Sequence, residues 1–207
     1  MSIKNIIFDF GGVLMDWNPR YFYNEVFHDA AKADAFIQNI CTPEWNAQMD
    51  EGRSFAECIK EKQAEHPEFA REIGMYFEGW PKMLKGPIPE GVAMLEELKE
   101  SGEFHLFGLT NWSAETIDYA FNTYPFLKNS FAKVIVSGYE HLKKPEPLIF
   151  ERLIHKTGIV TRESLFIDDS LPNVRTSRAM GIAAIHCVDF QATKTEITRL
   201  TGFRFKR

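Results

Sequence analysis

The sequence predicts an α/β protein with a doubly wound parallel sheet and an inserted helical subdomain. Three observations indicate this architecture. Short apolar runs recur along the chain and end in glycine or polar residues, as buried parallel strands do. From residue 90 onward, these runs alternate with helical patterns, which is typical of a doubly wound parallel sheet. Before residue 86, a long stretch has apolar residues at helical spacing instead.

Five short apolar runs are predicted to form the strands of the sheet. They cover residues 3–10, 104–109, 133–136, 164–167 and 182–188. Each run is too short for a helix of ordinary length and is closed by a turn signal or a polar pair. We therefore expect the carboxyl ends of these strands to lie along one edge of the sheet.

Helical patterns fill the gaps between the later runs. The first ends at Gly102, a residue suited to the C-terminus of a helix. Ser113 is the expected N-cap of the second, and Pro145 the expected first residue of the third. The fourth closes at Gly181.

The stretch from 18 to 86 is longer than a direct crossover requires, since about a dozen residues suffice. Its helical spacing predicts a helical cap inserted after the first strand, with the prolines and glycine in 81–89 as the return linker. The expected core then comprises residues 1–17 and 87–207. By analogy, inserted helical subdomains above the carboxyl edge of a sheet commonly close over ligands.

Composition excludes several classes of partner. The chain has 24 basic and 29 acidic residues, a net charge of −5, which argues against non-specific nucleic-acid binding. No apolar stretch approaches the roughly 20 residues of a membrane span, and the N-terminus lacks the pattern of a signal peptide. The three scattered cysteines are expected to be reduced thiols. We expect a soluble cytoplasmic protein, either a monomer or a small homo-oligomer, with no nucleic-acid or membrane partner.

Polar residues follow four of the predicted strands. They are Asp9, the pair Thr110 and Asn111, the lysines 143–144, and the pair 168–169, both aspartates. Carboxylates on one edge repel each other unless a cation lies among them. Oxygen ligands without a histidine or cysteine cluster favour a hard ion, and Mg²⁺ fits best. This combination indicates a phosphoryl-transfer site in which a carboxylate acts as nucleophile.

Four segments, in order and in strand placement, resemble the motifs of the haloacid dehalogenase superfamily. They are residues 8–14, 109–111, 144–147 and 166–169. The resemblance covers nearly the whole chain and implies a Rossmann-like core, with an insert placed like the helical cap of the first subclass. Together with the first motif, residues 16–19 resemble the branch that contains sugar-phosphate phosphatases such as α-D-glucose-1-phosphate phosphatase.

The resemblance implies a role for each motif residue near the metal. Asp9 would attack phosphorus and become an aspartyl-phosphate. Asp9, the carbonyl of Gly11 and Asp169 would coordinate Mg²⁺. Asp168 would ligate the ion directly or through water, although capping of the following helix competes as an explanation for this residue.

The resemblance also implies which residues bind the phosphate. Thr110 and the backbone amide of Asn111 would bind phosphate oxygens. Lys144 would neutralise both the nucleophile and the phosphate, and it fits the motif better than Lys143 because it directly precedes the proline.

One position departs from the family pattern. Most phosphatases of this superfamily carry a second aspartate two residues after the nucleophile, where this chain has Gly11. General acid–base catalysis typically contributes about 10² to 10⁴ in rate. Three explanations stay open: the enzyme tolerates the loss, another carboxylate such as Asp16, Asp50 or Glu51 substitutes, or turnover is poor.

The sequence therefore supports three functional hypotheses. The first is a Mg²⁺-dependent phosphatase that acts on a small phosphorylated metabolite, with a sugar phosphate as one candidate. The second is a metal-independent 2-haloacid dehalogenase, against which the pair Asp168 and Asp169 argues because such a reaction needs no metal ligands. The third is a catalytically weak module that binds a phosphorylated ligand or a protein, and only Gly11 supports it.

Several other residues have competing interpretations. Trp112 is a candidate for stacking on substrate, with packing at least as well supported. Arg20 is expected to be a surface charge. The turn 50–53 is a candidate loop that enters the site. The basic end, residues 203–207, is expected to be a polar tail.

Overall fold

The computed structural model describes residues 2–206. Over that range, the strands are β1 (Asn5–Phe8), β2 (Met15–Trp17), β3 (Leu84–Pro87), β4 (His105–Thr110), β5 (Lys133–Val136), β6 (Ser164–Asp168) and β7 (Ala183–His186). The first six helices are α1 (Arg20–Phe27), α2 (Ala30–Asn39), α3 (Pro43–Asp50), α4 (Phe55–Glu65), α5 (Ala70–Gly74) and α6 (Tyr76–Met83). The others are α7 (Pro89–Ser101), α8 (Ile117–Thr123), α9 (Phe126–Asn129), α10 (Ser137–Glu140), α11 (Pro147–Thr157), α12 (Leu171–Ala179) and α13 (Phe190–Thr201).

Five strands form a parallel sheet in the order β5-β4-β1-β6-β7. The first strand lies at its centre, where Ile7 pairs with Phe107 on one side and Phe166 on the other. All four residues of β1 are buried, as expected for a strand covered on both faces. The predicted doubly wound α/β fold is confirmed.

Helices cover both faces of the sheet because successive residues of a strand point in opposite directions. Ile7 packs on the face covered by Phe150 of α11 and Val174 of α12. Phe8, its neighbour, belongs to the other face, which is covered by α7 and α13. The helices on opposite faces leave a crevice at the carboxyl end of β1, the place where such sheets bind ligands.

Helices α1 to α6 follow one another between β2 and β3. They pack around Tyr23, which is fully buried and whose ring centroid lies 4.7 Å from that of Phe36 and 6.1 Å from that of Tyr76. Aromatic rings at these distances contribute dispersion and quadrupole attraction as well as buried area. The helical spacing predicted for this segment is confirmed.

The expected return linker is not a loop. Pro81 lies inside α6, and the following residues form β3, which pairs antiparallel with β2 through Met15 and Pro87. The sequence Leu-Lys-Gly-Pro has little strand propensity. The ribbon is held by its backbone pairing and by burial of Met15 and Leu84 in the hydrophobic core.

Two predicted helix starts are wrong. The helix expected to be capped by Ser113 begins at Ile117, and the Ser113 hydroxyl instead accepts a hydrogen bond from the amide of Glu115. The helix expected to begin at Pro145 begins at Pro147. Either proline fits a first helical position, but the segment before Pro147 is held in place by the contacts of Lys144 described below.

Several contacts join the helical segment to the carboxyl edge of the sheet. The hydroxyl of Ser137, just after β5, donates to the carbonyl of Asp50. The amide of Phe55 donates to the Glu115 carboxylate at 2.8 Å. The rings of Trp80 and Trp112 lie 5.6 Å apart. The helical segment therefore covers the edge where the polar strand ends meet.

None of the helices within residues 2–206 combines the length and the apolar character that a membrane-spanning helix requires. The three cysteines, Cys41, Cys58 and Cys187, are buried and free, as expected for reduced thiols.

We predict that Gly91→Ala destabilises the fold. A Cβ at residue 91 would lie 1.9 Å from the carbonyl oxygen of Val13, so α7 must move away from the segment after β1. Overpacking of this kind typically costs about 1–3 kcal/mol, and equilibrium unfolding in urea measures it. The matched control is Glu90→Ala at the exposed neighbouring position, which we expect to change stability by no more than about 0.5 kcal/mol. Equal stability of the two variants would contradict the prediction.

Candidate functional site

Lys144 lies at the centre of a buried polar cluster at the carboxyl edge of the sheet. Its side chain is 1% exposed, and its Nζ contacts Asp9 Oδ1 at 2.8 Å and Asp168 Oδ2 at 2.7 Å. The third hydrogen bond of this ammonium goes to the carbonyl of Leu109 at 2.9 Å. All three donors of the lysine are satisfied, so its position is defined by three strand ends at once.

Asp9 directly follows β1, and its amide donates to the carbonyl of Ile167 in β6. Its Oδ1 accepts a hydrogen bond from the amide of Phe10 at 2.7 Å. The residue is only 7% exposed. With Oδ1 engaged by Phe10 and Lys144, the carboxylate is oriented by contacts with the chain itself.

Asp168 ends β6 and is fully buried. Besides Lys144, its carboxylate accepts hydrogen bonds from the Ser170 amide at 2.7 Å and from Asn173 Nδ2 at 3.0 and 3.1 Å. This aspartate therefore both orients the lysine and caps the turn that leads into α12.

Asp169 is exposed and lies beside the glycine turn that follows Asp9. A Cβ at Gly12, whose φ is +69°, would lie 2.1 Å from Asp169 Oδ2. Any larger residue at this position would displace the carboxylate. The turn also requires the left-handed conformation that glycine adopts without penalty.

The carboxylates of Asp9, Asp168 and Asp169 have oxygens within 4.8 Å of one another. With Lys144 as the only ammonium in contact with Asp9 or Asp168 among the described residues, the cluster has a formal excess of two negative charges. The donor set is all oxygen, which suits a hard divalent cation such as Mg²⁺. The residues present therefore fit a divalent ion between Asp9 and Asp169.

The pKa shifts of the clustered residues show the mutual repulsion of carboxylates that a cation would relieve. Burial raises the pKa of Asp9 well above its usual value, and Asp168 and Asp169 raise it further, while Lys144 opposes them. Partial desolvation of its carboxylate by the surrounding chain, together with Asp168, also raises the pKa of Asp169. Burial alone would lower the pKa of Lys144, but Asp168 and Asp9 raise it above its ordinary value, so this residue stays protonated.

Thr110 ends β4 beside this cluster. The residue is 1% exposed, and its Oγ1 has no hydrogen-bond partner among the described residues. A buried hydroxyl without a partner is costly. A ligand oxygen at the strand edge would supply the missing bond.

A small cavity lies between the helical segment and the edge of the sheet. The residues that line it are Gly11, Trp17, Asn46, Asp50, Trp80, Asn111 and Trp112. It combines an apolar wall of three indole rings with a few polar groups, the usual composition of a small-molecule site. Trp112 thus both lines the cavity and packs against Trp80 and Phe10.

The structure separates the other candidates clearly. Lys143 forms an ion pair with Glu51 and does not belong to the cluster around Asp9. Asp16 accepts hydrogen bonds from Tyr21 at 2.8 and 2.9 Å and does not line the cavity. Arg20 pairs with Asp34 on the surface, as expected of a surface charge.

The turn 50–53 divides in the same way. Asp50 lines the cavity and Glu51 pairs with Lys143, whereas Arg53 extends away to pair with Glu61.

Sequence reasoning named Asn111 only for its backbone amide, and it missed the structural role of two side-chain amides, those of Asn111 and Asn173, that hold the cluster together. Asn111 clamps the backbone of Lys144 through two bonds: its Nδ2 donates to the Lys144 carbonyl at 3.0 Å, and its Oδ1 accepts from the Lys144 amide at 2.9 Å. Asn173 has the corresponding role for Asp168. An asparagine directly after a predicted strand was the only signal available for the first, and the second has no distinctive sequence context.

Comparison with known proteins found a matching family and related proteins. A family model described as "Haloacid dehalogenase-like hydrolase" matches residues 6–187. The sesquiterpene phosphatase astK of Aspergillus oryzae is 26% identical over 202 residues, covering 97% of this chain and 98% of that protein. The D-ribitol-5-phosphate phosphatase of Bacteroides thetaiotaomicron is 23% identical over 188 residues, covering 86% and 89%.

A solved structure shares the fold. It is a HAD family enzyme from Bacteroides thetaiotaomicron in complex with magnesium and inorganic phosphate, with a TM-score of 0.71 and 22% identity. The alignment covers 93% of this chain and 99% of that one.

We predict that Mg²⁺ raises the melting temperature of the protein and that Asp169→Asn largely removes this effect. A ligand that binds only the folded state stabilises it by about 2.7 kcal/mol at a concentration 100 times its Kd. Replacing one carboxylate by an amide removes a negative charge from the cluster and so weakens its attraction for the cation. Thermal unfolding with and without MgCl₂ measures the shift. Glu103→Gln, an exposed carboxylate outside the cluster, should respond to Mg²⁺ like the wild type; an equal response of Asp169→Asn would contradict the assignment.

Proposed function

Because this chain belongs to the haloacid dehalogenase-like hydrolase family, we propose that it is a Mg²⁺-dependent phosphatase that hydrolyses a small phosphomonoester through Asp9. The observation that carries the proposal is the buried Lys144 ammonium held between Asp9 and Asp168, with Asp169 beside them. In this arrangement a carboxylate suited to nucleophilic attack, a fixed positive charge and a group of carboxylates that could hold a cation lie within a few ångströms of one another. The two phosphatases among the relatives support it.

In this proposal, an oxygen of Asp9 attacks phosphorus, and the bond between phosphorus and the leaving oxygen breaks. The aspartyl-phosphate that forms is then attacked by water, which releases inorganic phosphate and regenerates the carboxylate. Splitting the displacement into two steps is the usual advantage of a covalent nucleophile. The contacts of Asp9 Oδ1 with Phe10 and Lys144 orient the carboxylate for the attack.

Phosphate oxygens would be bound by Thr110, the backbone amide of Asn111 and Lys144. The unpartnered Oγ1 of Thr110 supports its part. Lys144 balances the charge of the nucleophile before the reaction and that of the phosphoryl group during it. The side chain of Asn111 has an indirect role, because it holds the Lys144 backbone in place.

Mg²⁺ would be held by Asp9, the carbonyl of Gly11 and Asp169. When bound, the ion neutralises charge on the transferring phosphoryl group. Asp168 contacts Lys144, Ser170 and Asn173, so we assign it first to orienting the lysine and second to the metal, through water.

We further propose that residues 18–86 act as a cap over a core made of residues 1–17 and 87–207. The contacts of Glu51 with Lys143 and of Phe55 with Glu115 support this division, since they join the two parts at their polar faces. The organic group of the substrate would then occupy the cavity between cap and core, against Trp17, Trp80 and Trp112.

The sugar-phosphate branch suggested by the sequence stays a prediction. One relative is a phosphatase of a sesquiterpene and the other of a polyol phosphate. An indole wall packs against either an isoprenoid chain or the apolar face of a sugar. Assay of prenyl, polyol and sugar phosphates side by side distinguishes these substrate classes.

The two alternative hypotheses are less well supported. A metal-independent dehalogenase has no use for the three clustered carboxylates, and halide release from a 2-haloacid without metal would favour it. A module that only binds phosphorylated ligands has no need of a carboxylate aligned by a buried lysine. Tight binding without phosphate release would favour that function.

We predict that Asp9→Asn lowers phosphate release by at least about 10³-fold, since removal of a covalent nucleophile costs at least this much. The amide is isosteric with the carboxylate but is a poor nucleophile. Release of inorganic phosphate from a panel of phosphomonoesters in the presence of Mg²⁺ measures the loss. Asp16→Asn, which lies outside the cavity, should retain activity near that of the wild type. Activity of Asp9→Asn equal to the wild type would refute the assignment of the nucleophile.

A further inference from the structure

The proposed hydrolysis requires a proton donor that the central cluster does not supply. When the bond between phosphorus and the leaving oxygen breaks, an alcohol leaves as an alkoxide unless a proton reaches it. Lys144 donates all three of its protons to Asp9, Asp168 and Leu109. Asp9 is the nucleophile, and Asp168 is occupied by four hydrogen bonds.

Gly11 contributes no side chain to the reaction. A Cβ at residue 11 would meet nothing within 4 Å, so open space lies beside the backbone two residues after the nucleophile. This space belongs to the cavity between the helical segment and the sheet. An organic leaving group attached to a phosphate at Asp9 would extend into it.

Among the described residues, Asp50 is the only one lining this cavity whose side chain has an acidic proton to exchange near neutral pH. The other lining residues are glycine, tryptophan and asparagine. Asp50 ends α3, and its carboxylate is held by Asn46 Nδ2 at 2.9 Å and by the backbone amide of Ser113. These two bonds fix the carboxyl group with respect to both the helical segment and the loop after β4.

The environment of Asp50 suits an acid that exchanges protons near neutral pH. Burial raises the pKa of Asp50 to about 7, with the Ser113 amide and Lys143 opposing the rise. The other groups that face it are Tyr76, which stays neutral because burial raises its pKa, and Glu51, which is paired with Lys143. The negative end of the α3 dipole also disfavours the charged carboxylate.

Resting on the proposed phosphatase function, we propose that Asp50 is the general acid and base of the reaction and acts from across the cavity. As the bond from phosphorus to the leaving oxygen breaks, the Asp50 carboxylic acid transfers its proton to that oxygen, and the product leaves as an alcohol. The resulting carboxylate then takes a proton from the water that attacks the aspartyl-phosphate. Phosphate leaves, Asp9 is regenerated, and Asp50 is again a carboxylic acid.

The test compares two substrates that differ in their need for an acid. A 4-nitrophenyl leaving group departs readily as an anion, whereas the alkoxide of glycerol phosphate needs a proton. For Asp50→Asn, we expect kcat/KM for the alkyl ester to fall by about 10² or more, and that for the aryl ester to fall less than about fivefold. In the wild type, activity toward the alkyl ester should fall as pH rises through about 7, and this limb should be absent in the variant.

The matched control is Glu51→Gln, which removes the neighbouring carboxylate and its ion pair with Lys143 but not the cavity acid. It should change kcat/KM for the alkyl ester and for the aryl ester by the same small factor. Circular dichroism and thermal unfolding verify that Asp50→Asn folds. Asp50→Glu serves as a second variant and should regain part of the alkyl activity.

Three results would overturn the assignment of Asp50. Equal losses on both esters would assign it a structural role, because a missing acid affects them unequally. No loss on either would exclude it from the reaction. If Glu51→Gln shows the same loss as Asp50→Asn, the effect comes from the disturbed contact between the helical segment and the sheet edge. If instead the wild type releases no phosphate from either ester while Asp9→Asn behaves identically, it is the phosphatase function itself that fails.

Discussion

The arrangement of this site depends on one buried ammonium group. Lys144 is almost fully removed from water, and a charge in that position is tolerated only when it is paired and fully hydrogen-bonded. Two carboxylates and one carbonyl meet that requirement, and they come from the ends of β1, β4 and β6. The strand order that makes β1 central also makes it the neighbour of both β4 and β6, so the pairing of the sheet and the pairing of the charges are the same constraint.

The electrostatic consequence is a site with a deficit of positive charge. One lysine cannot balance three carboxylates, and their mutual repulsion is stronger where water is excluded. In the proposed phosphatase, a divalent cation would remove this excess, and Lys144 and backbone amides would offset the charge of a phosphate dianion. The overall acidity of the chain therefore does not oppose anion binding, because the relevant positive charges are local. The same reasoning explains how acidic residues can gather at an edge that is proposed to bind an anionic substrate.

The sequence was informative where local pattern and burial coincide. The five strands of the sheet were predictable because parallel strands covered on both faces are short apolar runs, and the polar residues that follow them necessarily share one edge. The ribbon of β2 and β3 was not predictable, because its second strand contains glycine and proline and has little strand propensity of its own. The clamp of Asn111 on Lys144 joins residues 33 positions apart, and no local pattern reports such a contact. Asp50 could be named as one of three candidates, but only the packing of α3 on the sheet edge separates it from Asp16 and Glu51.

Lys143 and Lys144 are neighbours in the chain but bind to different parts of the molecule. The first reaches outward to Glu51 of the helical segment, and the second reaches inward to Asp9. Asn111 holds the amide and the carbonyl of Lys144, so the backbone is fixed at the point where the two lysine side chains diverge. Two adjacent residues therefore anchor one short piece of backbone to both sides of the cavity, to the helical segment through Lys143 and to the buried carboxylates through Lys144.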